Sequence, residues 1–340
     1  MTTPRISLNN MRSIMSKVSR DKKLNILTFA THERYEENLC KTGHNFYSIR
    51  NGKEWDTTYA PVPSNYCIID SLPLSVDFDL ILSHTACTRI QLAQDMLCES
   101  SGGVSAAPIL RHCHVLPDVR GDVEQQIRWY AHGLSNMKNS FISNFSRNAW
   151  GYGDDADVVE HGVDVDFWGH DADNTSRGPY CLSVVNEFPS RDWCCGFNLW
   201  KEIASSIDCQ VVGKCTGKNA GFSQPAQNRD HLRSIYQTSS VFLNTSTHSP
   251  VPTVLLEAMA CGCPVVSTKN CMIPEIIEHG VNGFMSNDAN ELKSYCKKLL
   301  NDPDLAREIG EAGRRTVEER YSLDRFVNNW NDLLYKTVGA

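Results

Sequence analysis

The chain has 340 residues, of which 41% are hydrophobic and 21% charged, and it carries a formal net charge of −7. That length exceeds one ordinary core and suits two domains of middling size. The acidic balance argues against a protein that coats nucleic acid. No apolar run approaches the ~20 residues that an integral membrane segment needs.

Residues 1–22 read as a basic arm, with Arg5, Arg12, Lys17, Arg20 and Lys22. The arm lacks the apolar centre of a secretory signal, so a cytoplasmic location is expected, and its charge leaves a polyanion partner open. The 14 cysteines show no Cys-x-x-Cys pair and no zinc-ligand spacing, so they read as reduced thiols with no metal.

From residue 23 onward, strand-like and helix-like runs alternate. LNILTFA, DLILSHT, APILRHCH and SFISNF read as short buried strands, with helical patterns such as RIQLAQDMLCES and EQQIRWYAHGL between them. Buried strands separated by helices predict a parallel α/β layer over 23–168. The polar stretch 169–179 suits a hinge, and the pattern restarts with YCLSVV, CQVVGK, VFLNTS and PVVSTK over 180–322. Three amphipathic helices close the chain. The last, over 323–340, carries Phe326, Trp330, Leu333 and Leu334 on one stripe and is expected to return to the first domain. Two such domains face each other across a cleft at the carboxyl ends of their sheets.

The stretch HSPVPTVLLEAMACGCPVVSTKN, from His248 to Asn270, places two prolines before a short apolar helix with one carboxylate, Glu257. Pro252 suits the first turn, and the amides of Thr253 and Val254 are then free to face an anion. Glu257 has apolar neighbours on both sides and can accept from two vicinal hydroxyls. Gly280 and Gly283 read as turn glycines, and Glu275 and Glu278 as surface charges.

PTVLLEAMACGCPVVSTKNCMIPEIIEHGVNGFM resembles the signature of family 4 (group 1) glycosyltransferases, over about a hundred residues well and the remainder loosely. The resemblance implies a GT-B fold of two Rossmann-like domains. It also implies a cytoplasmic, metal-independent hexosyltransferase that moves a sugar from a UDP- or GDP-linked donor to a hydroxyl acceptor with retention. In the family the glutamate matching Glu257 holds the donor ribose, and two cations clamp the diphosphate that lies at the helix amides. Asn186 falls where the first cation belongs and Arg191 where the second does. Gly213 and Lys214, just after a strand, border the same site, and Lys214 or Lys218 stands in for the missing charge. Counting back eight positions from Glu257 reaches Ser249, where the family has a second glutamate beside the donor sugar. His114 matches a histidine that reaches the sugar, while His112 is expected to turn to the opposite face and pack. Glu33, after the first strand, reads as a base or acceptor ligand facing the cleft, or as a helix N-terminal acid.

Asp155–Asp157, Asp164–Asp166 and Asp171–Asp173 are D-x-D matches that read as interdomain and surface residues. No Gly-x-Gly-x-x-Gly follows an early strand, which disfavours a nicotinamide enzyme. Two alternatives stand beside the transferase: a catalytically silent glycosyltransferase-like subunit, motivated by Asn186 and Ser249, and a phage-type enzyme whose acceptor is a hydroxymethylated pyrimidine in DNA instead of a glycan or lipid-linked glycan.

Overall fold

The computed structural model describes residues 19–29, 31–50, 54–73, 75–84, 107–131, 137–169 and 177–339. Most of the basic arm, the RIQLAQDMLCES pattern, Asp171, Asp173 and most of the 169–179 stretch lie outside the described residues.

Two parallel sheets organise the chain. The first has the order β3-β2-β1-β4-β5-β6-β7, and the second the order β12-β11-β10-β8-β9. The first sheet is built from β1 (Asn25–Thr28), β2 (Asn45–Ile49), β3 (Tyr66–Ile69), β4 (Leu80–Ser83), β5 (Ile109–Cys113), β6 (Met137–Phe141) and β7 (Asp157–Val158). The second is built from β8 (Gly178–Val184), β9 (Cys209–Val212), β10 (Ser239–Asn244), β11 (Val265–Ser267) and β12 (Phe284–Met285). Each strand order reverses once, between β1 and β4 in the first sheet and between β8 and β10 in the second. Ligands of doubly wound folds bind at such reversals, outside the carboxyl ends of the strands.

Four strands escape the sequence patterns: β2, β3, β7 and β12. The last two have only two residues each. NFYSI, a half-polar run, and YCII, an apolar run of only four residues, become strands by pairing with β1 and with each other. SFISNF is offset, because β6 ends at Phe141 and Ser143 caps the next helix by accepting from the Ser146 amide.

The helices used below are α1 (Glu33–Cys40), α2 (Val123–Ala131), α3 (Asn144–Ala149), α4 (Phe197–Ala204), α5 (Arg229–Thr238), α6 (Thr253–Ala260), α7 (Ala289–Asn301), α8 (Pro303–Arg320) and α9 (Leu323–Val338). The stripe on α9 packs into the first sheet's core: Phe326, Trp330, Leu333 and Leu334 are buried with Leu24, Ile26, Phe46 and Leu80. The second core is centred on α6, where every residue from Leu255 to Ala260 is buried, Glu257 included. Among the described residues no helix is long and apolar enough to cross a membrane, and no described cysteine is paired.

Candidate active site

A cleft of about 950 Å³ opens between the two sheets, within the range of small-molecule sites. Of the residues singled out from sequence, His114, Asn186, Gly213, Lys214, Thr253, Val254 and Glu257 line it. Glu33, Arg191 and Ser249 are not among its lining residues.

The far wall is the start of α6. Pro252 is the cap residue and no side chain caps the helix, so its first amides open toward the cleft. Glu257 is 7% exposed and bridges two groups. The Arg34 guanidinium donates to Oε1 at 2.8 Å, and the Tyr236 hydroxyl donates to Oε2 at 3.2 Å. Burial raises the Glu257 carboxyl above its ordinary pKa, and Arg34 and then Tyr236 pull it back down. Arg34 comes from α1 of the other sheet, a partner 223 positions away.

The rest of that face of α1 follows the same pattern. Glu37 accepts from Arg229 at 3.3 Å, Asn38 donates to the Gly162 carbonyl at 3.2 Å, and Lys41 approaches Asp164 at 3.5 Å. Positions 34, 37, 38 and 41 share one helix face by their spacing. Asp164 therefore serves a structural pairing, and it also accepts from the Phe167 amide at 3.0 Å.

Glu33 and Glu275 differ from the sequence expectation, and Arg191, Ser249 and Asn186 take the places given below. Glu33 does not face the cleft; it is buried at the start of α1 and accepts from the Asp56 amide at 3.3 Å. Arg191 is exposed, at the end of a single 3-10 turn, and its Nη1 lies 3.5 Å from the carbonyl oxygen of Asn186, a residue that lines the cleft. Ser249 is half-buried in the loop before α6. Asn186 lines the cleft, but its Oδ1 is used to hold the Lys214 amide at 2.8 Å. Gly213 meets Asn186 and its neighbour so closely that a Cβ would lie 2.0 Å from the Val185 carbonyl. Glu275 is no idle surface charge: it accepts from the amides of Asn144 and Phe145 and so caps α3 from the other sheet. Gly280 takes a φ of +80°, as a turn glycine does.

His112 and His114 do not diverge. Residues two apart in a strand share a face, and the two rings lie 4.8 Å apart. They join His84 and His161 in a cluster around Tyr35, whose ring meets His114 edge-on at 4.5 Å. His84 Nδ1 lies 3.0 Å from His114 Nε2. Burial, the largest cause, pushes the pKa of every member down: His84 to about 3, His161 to about 4, and His112 and His114 well below the usual range. Sequence reasoning missed Arg34, Arg229, Tyr236, His84 and His161. The only local signal was that Arg34 and His84 follow strands at the sheet's reversal point.

Two further contacts close the lobes on each other. His248 Nε2 lies 3.0 Å from the Pro117 carbonyl, and the Arg120 guanidinium stacks 3.7 Å from the Trp193 ring.

Residues 214–316 match the family model described as glycosyl transferases group 1. The N-acetyl-alpha-D-glucosaminyl L-malate synthase of Bacillus anthracis is 32% identical over 112 residues, 32% of this chain and 29% of that one. The alpha-maltose-1-phosphate synthase of Mycolicibacterium smegmatis is 37% identical over 156 residues, 43% of this chain and 40% of that one. The chain thus spans less than half the length of these curated relatives. Solved structures match nearly end to end. Anabaena HepE in complex with UDP superposes with a TM-score of 0.72 at 14% identity, covering 93% of this chain and 100% of that one. Sucrose-phosphate synthase from Thermosynechococcus elongatus superposes with a TM-score of 0.70 at 16% identity, covering 92% and 98%. The chain has the GT-B fold, and within its second lobe residues 214–316 match the model of glycosyl transferases group 1.

Proposed function

We propose that this protein transfers a hexosyl group from a nucleotide-diphosphate sugar to a hydroxyl acceptor, with retention at the anomeric carbon and without a metal ion. The observation that carries this is the placement of Glu257. It is a buried carboxylate one turn inside a helix whose uncapped start opens into the cleft, opposite His114 on the other wall. An uncapped helix start favours phosphate oxygens, and a carboxylate behind it accepts from the two hydroxyls of a pentose. HepE has been solved with UDP and with UDP-glucose, which supports a uridine donor.

In the resting arrangement Arg34 occupies Glu257. Pentose hydroxyls compete with that guanidinium, and a released Arg34 stays in the cleft near the helix start. It thereby supplies the cation that Asn186 does not. Lys214, exposed on the cleft wall, is the second positive charge. Retention requires no enzyme nucleophile. It requires a stabilised leaving diphosphate and an acceptor hydroxyl held on the same face of the sugar.

A silent, binding-only subunit is the second reading. Ser249 in place of an acid and the Arg34–Glu257 pair across the donor pocket favour it.

Calorimetric titration with UDP and GDP tests donor binding, and release of the free nucleotide from a panel of donor sugars tests transfer. Acceptors in the panel are glycans, lipid-linked glycans and hydroxymethylated DNA. Glu257→Ala should abolish both binding and release. Tight nucleotide binding without release under any condition would establish the silent subunit, and absence of nucleotide binding would refute the donor site.

A further inference from the structure

We propose that His84 is a positioning residue that fixes the proton of His114 on Nε2, so that His114 presents a bare Nδ1 to the cleft and recognises a ligand hydroxyl by accepting its proton. The inference rests on the transferase reading only for the class of ligand, a sugar hydroxyl.

The chain of contacts begins at Glu36. Its Oε1 accepts from the Thr31 amide at 3.0 Å, so that oxygen presents lone pairs. His84 Nε2 lies 3.7 Å from the same oxygen, and both side chains are 1% exposed. That separation is longer than a hydrogen bond, and His84 Nε2 has no hydrogen-bond partner among the described residues, but a ring nitrogen turned toward a carboxylate oxygen is favoured electrostatically as N–H. Burial holds His84 neutral, so the ring has one proton to place and Nδ1 is left bare. That bare nitrogen lies 3.0 Å from His114 Nε2. Two lone pairs at that distance repel, so Nε2 of His114 carries its proton and donates it. His114 is also neutral by burial. Its Nδ1 therefore keeps a lone pair, and it has no hydrogen-bond partner among the described residues.

The opposite arrangement would turn a lone pair of His84 toward the Glu36 oxygen in a buried site, where unpaired polar contacts are most costly. The other groups facing His114 do not reverse this. His112 at 4.8 Å and His161 at 6.1 Å are neutral by the same burial. Tyr35 meets both His84 and His114 with its ring, while its hydroxyl accepts from Trp330 Nε1 at 3.2 Å.

Topology explains the encounter. β4 and β5 are neighbours in register, with Ser83 opposite Arg111, so His84 and His114 leave the same sheet edge beside the cleft. The wall opposite carries Thr253 and Glu257.

The test is long-range proton–nitrogen NMR of protein labelled at the histidine rings, near neutral pH, with His114→Gln used to assign the His114 signals. The wild-type ring should show a protonated Nε2 and a bare Nδ1. A proton on Nδ1 overturns the proposal, whether or not any variant folds. His84→Phe, which removes the acceptor, should give a mixture of tautomers, and His84→Asn, which can offer an oxygen, should restore the wild-type form. In transfer assays His84→Phe should lower kcat/KM about tenfold while UDP affinity changes by less than about twofold, because UDP lacks the transferred hexosyl group that His114 would touch. Transfer at the wild-type rate in His84→Phe would also overturn it. If no donor is turned over at all, the tautomer spectra still decide this inference, and only the transferase reading fails.

Discussion

At the scale of single residues, the Arg34–Glu257 pair sets the character of the cleft. The carboxylate is 7% exposed and the guanidinium 27%, so the pair is only partly shielded and its worth is moderate. Arg34→Ala should therefore lose about 1–3 kcal/mol of stability, read by urea denaturation, because it strands a buried charge. The same change frees Glu257, so uridine should bind more tightly while UDP loses the added cation. The ratio of UDP to uridine affinity should fall, and an unchanged ratio would deny Arg34 any phosphate role. Glu257→Gln should weaken UDP roughly tenfold to a hundredfold through the lost charge-assisted bonds. The histidine cluster adds a pH dependence. The folded pKa of His84 is down to about 3 and that of His161 to about 4, with His112 and His114 also depressed. As pH falls below about 6.5 the unfolded chain takes up these protons and the folded one does not, so stability falls. Each histidine contributes a slope of up to about 1.4 kcal/mol per pH unit. Glu257 and Glu160, with their raised pKa values, act in the opposite sense, two groups against the four of the cluster and His44, whose pKa burial also lowers. The melting temperature should drop clearly from pH 7 to pH 5, and a flat profile would contradict a cluster held neutral.

At the scale of elements, α1 and α6 meet the cleft from opposite sides, and α8 supports α6 from behind. Gly310 on α8 lies so close to the turn after α6 that a Cβ would sit 2.2 Å from the Gly262 carbonyl. Two effects compete in Gly310→Ala. Helix propensity favours alanine by about 1 kcal/mol, but the contact is with backbone and cannot be relieved by a side-chain rotation. Overpacking of this kind costs about 1–3 kcal/mol. The clash should win, with a lower melting temperature and, because α6 shifts, weaker nucleotide binding. A stabilised variant would show that the helices separate at little cost.

At the scale of the whole molecule, the chain crosses between lobes twice. The connector runs from β7 to β8, and α9 returns to bury Trp330 among residues of β1, β2 and β4. Trp330 is fully buried and its indole donates to Tyr35, the residue that the histidines surround. Trp330→Ala should cost about 3–5 kcal/mol and loosen the first lobe although the substitution lies in the last helix. Hydrogen exchange would show it as lost protection in β1 and β4. The two walls of the cleft are held together by the α1 face, by His248 at the Pro117 carbonyl and by Glu275 capping α3.

What the sequence determined by itself is what short-range periodicity encodes. Buried apolar runs specified most of the parallel strands, the three closing helices carry their stripes openly, and the proline-led apolar helix announced Glu257 and its free amides. Strands such as NFYSI stayed hidden because their polar positions become acceptable only once neighbours pair with them. The tertiary structure alone decided which side chains meet. Arg34 reaches Glu257 across 223 positions of chain, His84 finds His114 through the pairing of β4 with β5, and Glu33 is buried at the start of α1. Local pattern sets whether a residue is in a strand or a helix. Contact between charges and rings is set by how two sheets dock, and no spacing along the chain records that.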